Sequence, residues 1–260
     1  MEGLLNIYQI SLVTTVSIAV IMALSLNLIT GFCGQISLGH AAFQGIGAFT
    51  AAMLTKNAGL DFIPATLAAM ALAGLVGLVV GLAALRVRED FLAITTMGVA
   101  FLFVGIVNQQ QWLGAEEGIA GMVVTIVLAL LVAAFSFYLR RTWLGAAFGS
   151  IADDEDTARV VGIDVARFKL VAFVIGTGLA GMAGSLYAHQ VKIILPQDFG
   201  FIPSITVLSI VVFGGIGSVF GVIAAAIGLT LMPLVFQFIG DYKLLFYGGL
   251  LFLMMRFAPD

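Results

Sequence analysis

The chain has 260 residues, of which 62% are hydrophobic and only 10% charged, with a mean hydropathy of +1.16. Soluble domains carry roughly 25% charged and 45–50% apolar residues, so this composition excludes a soluble globular protein and marks one that crosses a membrane many times. The net charge of −3 leaves no footprint for nucleic acid, and the single cysteine, Cys33, excludes an intrachain disulfide.

A membrane-crossing helix needs about 20 apolar residues, because every backbone amide in the hydrocarbon must find its partner within the segment. Runs of that kind predict spans at 7–29, 36–54, 63–85, 91–107, 119–138, 170–188, 204–217, 219–239 and 244–255. The expectation is an all-α polytopic membrane protein of about nine transmembrane helices, with eight to ten as the range, forming one domain over residues 1–260. No basic segment precedes the first apolar run and no small-residue cleavage pattern follows it, so it reads as a retained span.

Between the first two spans lies GFCGQISLGHAAFQGIGAF, residues 31–49, with five glycines and with Gln35, Ser37, His40 and Gln44. Irregular backbone at membrane depth survives only where protein buries it or where it lines a cavity, so a broken or re-entrant helix is predicted here. His40 is an ionisable group inside the membrane. No Asp, Glu, Lys or Arg lies in the first two predicted spans to relay a proton, so it reads as a hydrogen-bonded structural histidine. Cys33 and His40 alone cannot hold a metal, and neither metal nor cofactor is expected.

In the third span Ala73, Gly77 and Gly81 are four apart, and in the sixth so are Gly176, Ala180, Gly184 and Ala188. Such stripes let helix backbones approach closely. The fourth span carries Thr95 and Thr96, and the turn at 108–118 carries Glu116 and Glu117 without Lys or Arg.

The longest polar run is residues 140–169, RRTWLGAAFGSIADDEDTARVVGIDVARFK, with Arg140, Arg141, Arg159, Arg167 and Lys169 among five carboxylates. It reads as a loop with a helix of its own, a docking surface for a soluble partner. Asp153 is positioned to cap that helix, Asp156 follows three residues on, Glu155 faces Arg159 at i+4, and Gly162 is positioned to end it in the left-handed conformation. The acids do not form a metal cluster, since successive helical residues project about 100° apart and the spacing matches no calcium loop.

GGIGSVFG, residues 214–221, is a second interruption near the other end. Paired glycine-broken segments in a transporter point toward its route of passage, although two tight hairpins without substrate contact would show the same pattern. The candidate lining residues are Gln35, Ser37, His40, Gln44, Thr95 and Thr96, polar but uncharged, which suits brief passage of a zwitterion. Basic residues fix orientation: Arg86 and Arg88, Arg140 and Arg141, and Arg256 all fall on one face, which is therefore cytoplasmic. The amino terminus is then outside, Ser150 inside and Ala115 outside. No GxxxxGK[ST] loop exists, so the chain is not its own P-loop ATPase, and no nucleophile with a paired base argues for an enzyme.

Residues 26–52, LNLITGFCGQISLGHAAFQGIGAFTAA, resemble the signature of membrane-spanning permease subunits in the branched-chain amino-acid class of ABC importers. Residues 144–189 resemble the coupling region and following span of that family, and SIVVFGGIGSVFGVIAAAIG resembles its carboxyl-terminal part. The resemblance implies the ABC importer permease fold, type II-like, in the inner or plasma membrane of a prokaryotic cell. It implies a second homologous permease subunit, in a heterodimer or a homodimer, two cytoplasmic ATPase subunits and an extracytoplasmic solute-binding protein. It further implies import of branched-chain or other hydrophobic amino acids by alternating access. On matching positions, Asp153, Asp154, Glu155, Asp156, Thr157, Ala158, Arg159 and Gly162 would form the coupling helix that enters a groove on an ATPase. Ala147, Phe148, Gly149 and Ser150 stand where the family carries basic residues.

Within the same class the substrate could instead be urea, short amides or aromatic acids. An ion-driven carrier or a channel is the alternative from another class. A carrier would hold carboxylates at the bilayer midplane, and none of the fourteen acidic residues clearly lies there. A membrane scaffold would explain the small-residue stripes but not the capped polar helix.

Overall fold

The computed structural model describes residues 7–85, 91–108, 122–191, 193–235 and 248–249. Within these the apolar runs form α1 (Ile7–Cys33), α2 (His40–Ala58), α3 (Phe62–Leu85), α4 (Phe91–Asn108) and α5 (Met122–Arg140). The polar run folds into α6 (Trp143–Asp153) and α7 (Glu155–Val160), and then come α8 (Val165–Gln190), a 3-10 turn at Pro196–Phe199, α9 (Phe201–Phe213) and α10 (Val219–Val235). Among the described residues, five stretches are long and apolar enough to cross a membrane: Tyr8–Cys33, Phe62–Ala84, Met122–Arg140, Val165–Gln190 and Pro196–Phe213. The last is interrupted at Gly200, where extended backbone separates the 3-10 turn from α9.

Most boundaries follow the apolar runs; among the departures, α8 starts at Val165 rather than 170 and α2 runs on to Ala58 rather than 54. The second helix starts at His40 rather than 36, because the backbone before it is not helical. α9 stops at Phe213, short of 217, where the glycines begin. α6 occupies part of what the sequence presents as loop: Thr142 caps it by accepting from the Gly145 amide, and Ala147, Phe148 and Ile151 are buried beneath it. Of the ninth predicted span only residues 248–249 are described, and Arg86, Arg88, Ala115, Glu116, Glu117 and Arg256 lie outside the described residues.

The helices share two ends. At one, the Gln190 side-chain amide of α8 donates to the Ser11 carbonyl (3.1 Å) and the Thr15 hydroxyl (2.9 Å) of α1, and Thr55 of α2 lies 3.3 Å from the His189 ring. At the other, the end of α1 meets α6, where Gly34 faces Ala152, and the start of α8 meets α7. α1 and α8 therefore run antiparallel, and the 140–169 segment sits wholly at one face.

α8 is the hub, packed on α1, α2 and α3. In a bilayer lipid is as apolar as leucine, so association depends on close approach rather than on escape from water. The stripes supply it. Gly176 lies against Ile29 and the Ser25 carbonyl, Gly181 against Ala69 and Ala73, Gly184 against the Gln44 carbonyl, and Gly77 against Thr177. Thr66 and Ser185 add a hydrogen bond of 2.8 Å across the α3–α8 seam, and such bonds contribute about 0.6 kcal/mol in membranes.

Candidate translocation and coupling sites

α1 ends at Gly34, whose φ of +69° is a conformation only glycine adopts without penalty. From there to Gly39 the backbone is not helical, and its amides need partners from elsewhere. The Leu38 amide donates to the Thr96 hydroxyl of α4 (3.1 Å), and the Ala41 amide donates to the Ser204 hydroxyl of α9 (3.1 Å). Each hydroxyl passes its own proton to a carbonyl of its own neighbourhood, Thr96 to Ala93 and Ser204 to Gly200, both at 3.0 Å. Gly39 is the point of closest approach, where a Cβ would overlap the Thr96 carbonyl.

His40 opens α2 fully buried, with Nε2 2.7 Å from the Ser25 hydroxyl of α1. The Ser25 proton is directed to the Met22 carbonyl (2.8 Å), which assigns the shared proton to Nε2 and leaves Nδ1 a bare acceptor. The histidine thus ties the middle of α1 to the start of α2.

The second interruption turns through Gly215 (φ +86°) and Gly217 (φ +81°). The Gly217 amide donates to Asn27 Oδ1 of α1 (2.9 Å), and Gly31 lies so close that a Cβ there would overlap both groups. The second break therefore packs against the last turns of α1, just before the first break. Asn27, Ser25 and Ser204 hold α1, α2, α9 and the second break together, and none of the three is among the candidate residues legible in the sequence. A polar amide deep in the first span, four residues before Gly31, is the signal that could have found Asn27.

Of the six candidate lining residues, Gln35, Ser37, His40 and Thr96 are buried, whereas Gln44 and Thr95 keep partial exposure. Buried side-chain atoms without a partner gather here: Asn27 Nδ2, Thr30 Oγ1, Gln35 Oε1, Ser37 Oγ and His40 Nδ1 all belong to residues 27–40.

In the 140–169 segment one expected cap is corrected. Asp154, not Asp153, caps α7, accepting from the Thr157 amide at 2.6 Å, while Asp153 is the last residue of α6. The Thr157 amide, with smaller help from the Thr157 side chain, holds the Asp154 carboxyl below the ordinary aspartate range. Glu155 and Asp156 occupy the first turn, where the helix dipole favours anions, and Arg159 reaches both, at 3.4 and 2.8 Å. At the far end the Gly162 amide bonds the Arg159 carbonyl and the Ile163 amide bonds the Ala158 carbonyl, both at 3.0 Å. That pair of bonds around Gly162, with φ +90°, is a Schellman motif. Glu155 also pairs with Lys169 of α8, whose side chain is buried. Val160 and Val161 are 87% and 69% exposed.

An all-α chain with several membrane-crossing helices, a glycine break packed against the end of α1 and a capped polar helix at one face defines a polytopic membrane protein. A profile of the family described as branched-chain amino acid transport system / permease component matches residues 8–255. The chain is 31% identical to the high-affinity branched-chain amino acid transport system permease protein LivM of Escherichia coli K12, over 96% of this chain and 69% of that protein. It is 27% identical to BraD of Pseudomonas aeruginosa, over 92% and 89%, and 31% identical to LivH of Escherichia coli K12 over a shorter region, 44% and 39%. No solved structure matches. The chain belongs to the branched-chain amino acid permease family.

Proposed function

We propose that this chain is one of two paired permease subunits of an ATP-driven importer, carrying branched-chain or other hydrophobic amino acids inward by alternating access. Two ATPase subunits engage it from the cytoplasm and a solute-binding protein delivers substrate from outside. The observation that carries the coupling role is α7: a short helix closed at both ends by its own residues, held at one face, with Val160 and Val161 projecting outward. Residues Asp154 to Gly162 seat in the ATPase, and Asp153, closing α6, lies beside them.

Displacement of α7 reaches α8 through Glu155 and Lys169. α8 meets α1, α2 and α3 along glycine and alanine, surfaces with few interdigitating side chains to resist sliding. The compliant points are the two breaks, where non-helical backbone is held by single hydroxyl and amide contacts. Gln35, Ser37, His40, Gln44, Thr95 and Thr96 lie around the first break, and movement there opens them to the solute. They offer polarity without charge, enough to pass a zwitterion without retaining it.

The purified chain should hydrolyse no ATP alone, and hydrolysis stimulated by leucine-loaded binding protein should appear on assembly with ATPase subunits. Magnesium-dependent hydrolysis by the isolated chain, abolished by a substitution within it, would refute the reading. Orientation is tested with single cysteines in a Cys33→Ser background: Leu60→Cys should react with an impermeant reagent on intact cells and Ser150→Cys should not.

A further inference from the structure

At the face that bears α7, a cavity of about 510 Å³ opens between the end of α1, the α5–α6 turn and the second glycine break. Small-molecule sites span about 300–1,000 Å³, so it is large enough for a metabolite. Two of its lining residues are charged and of opposite sign: Arg140, ending α5, and Asp153, ending α6. Neither makes an ion pair or a side-chain hydrogen bond among the described residues. Phe32 and Ile216 give the same cavity an apolar wall, and Gly149 opens into it, with no atom within 4 Å of where a Cβ would stand.

The pairing of unlike charges selects the ligand. An anion would satisfy Arg140 but be repelled by Asp153, a cation would do the reverse, and a neutral solute would leave both of these exposed charges to water. An α-amino acid offers a carboxylate for the guanidinium, an ammonium for the aspartate and an aliphatic side chain for Phe32 and Ile216. We propose that this cavity is a second amino-acid site, facing the cytoplasm, through which imported product restrains the importer. The inference rests on the orientation and substrate class proposed above. The restraint follows from chain order: Asp153 immediately precedes Asp154, the cap of α7. An occupant bridging Asp153 to Arg140 ties α6 to α5 and opposes the displacement of α7.

The test uses the complete permease–ATPase assembly in lipid nanodiscs, without binding protein, and tritiated L-leucine at equilibrium. Saturable binding is expected, weakened at least roughly tenfold by Arg140→Gln and by Asp153→Asn, as for loss of one partner of a charge pair. Gly149→Leu adds bulk to the cavity from a Cβ position with no atom within 4 Å, and should weaken binding as much while leaving thermal unfolding unchanged. On wild type, isocaproate, which lacks the ammonium, and isoamylamine, which lacks the carboxylate, should each compete at least roughly tenfold more weakly than leucine. In proteoliposomes, leucine on the ATPase side should slow stimulated hydrolysis in wild type but not in Gly149→Leu.

Absence of leucine binding to wild type, competition by either analogue as strong as that by leucine, or all three variants binding within about twofold of wild type would each overturn the site. Leucine uptake driven by binding protein is measured in parallel. Uptake without this binding rejects the cytoplasmic site alone, whereas binding without uptake rejects the import reading and leaves the site standing.

Discussion

Lys169 of α8, only 4% exposed, donates to the carboxylate of Glu155 on α7, so a charge buried at the foot of the hub helix is held by a residue of the short polar helix. Removing one member of a buried pair strands the other. Glu155→Gln and Lys169→Met should each lower stimulated ATP hydrolysis and destabilise the α7–α8 junction by up to about 3 kcal/mol, the low end for buried pairs because Glu155 retains some water contact. The exchange Glu155→Lys with Lys169→Glu should recover part of the loss. Full activity in both single variants, measured in the reconstituted complex, would remove this link from the mechanism.

Gly162 isolates backbone conformation from packing. Its φ is +90°, and no atom lies within 4 Å of an added Cβ, so the whole cost of Gly162→Val is conformational, on the order of 1–2 kcal/mol. The variant should insert and assemble normally yet lose much of its stimulated hydrolysis and transport together. Gly105→Ala on α4, equally open but without a positive φ, serves as control and should behave as wild type. Transport by Gly162→Val at the wild-type rate would refute the seating of a capped helix.

Two glycines on α8 should respond oppositely to the same methyl. A Cβ on Gly184 would overlap the Gln44 carbonyl and stand 2.7 Å from the Ala48 amide, whereas one on Gly178 has as its nearest neighbour the Met70 carbonyl at 3.5 Å. Gly184→Ala should destabilise by about 1–3 kcal/mol through overpacking, and Gly178→Ala should be neutral or stabilising by about 0.5–1 kcal/mol. Thermal unfolding in detergent reads both. Similar behaviour of the two would mean that the α2–α8 seam is looser than its geometry.

Asp154 sets a pH expectation. Its carboxyl is lowered in the folded chain, so the cap's contribution is fully present above the ordinary aspartate value of 3.8 and is lost only as pH falls through the lowered one. Stimulated hydrolysis should therefore show no titration of this group near neutrality. Asp154→Asn, an equivalent cap, should retain it, and Asp154→Ala should lower it. A gap between wild type and Asn that widens toward alkaline pH would argue for a role other than capping.

The spans were legible because uninterrupted apolar runs leave the backbone one way to satisfy itself, and α1, α3, α4 and α5 begin close to where those runs begin. The seams were legible too, since Gly176 and Gly184 announce themselves by spacing. α6 was not, because Gly145 and Gly149 weaken its helical signal and its burial depends on Phe148 packing against Phe168. The exchange of Asp153 for Asp154 as cap has the same origin: four consecutive acids look alike until the preceding helix fixes where its last turn closes. The junction of Asn27 with Gly217 joins residues 190 apart, beyond any local pattern.

The break at Gly34–Gly39 constrains the order in which the protein can be made. The amide of Leu38 waits for Thr96 and that of Ala41 for Ser204, so the first two helices cannot complete their own hydrogen bonding when they leave the ribosome. An unsatisfied amide in hydrocarbon costs several kcal/mol, and the nascent amino-terminal pair must keep its hinge against water or another protein until residue 204 arrives. This hinge is thus synthesised early and sealed only after residue 204 has emerged.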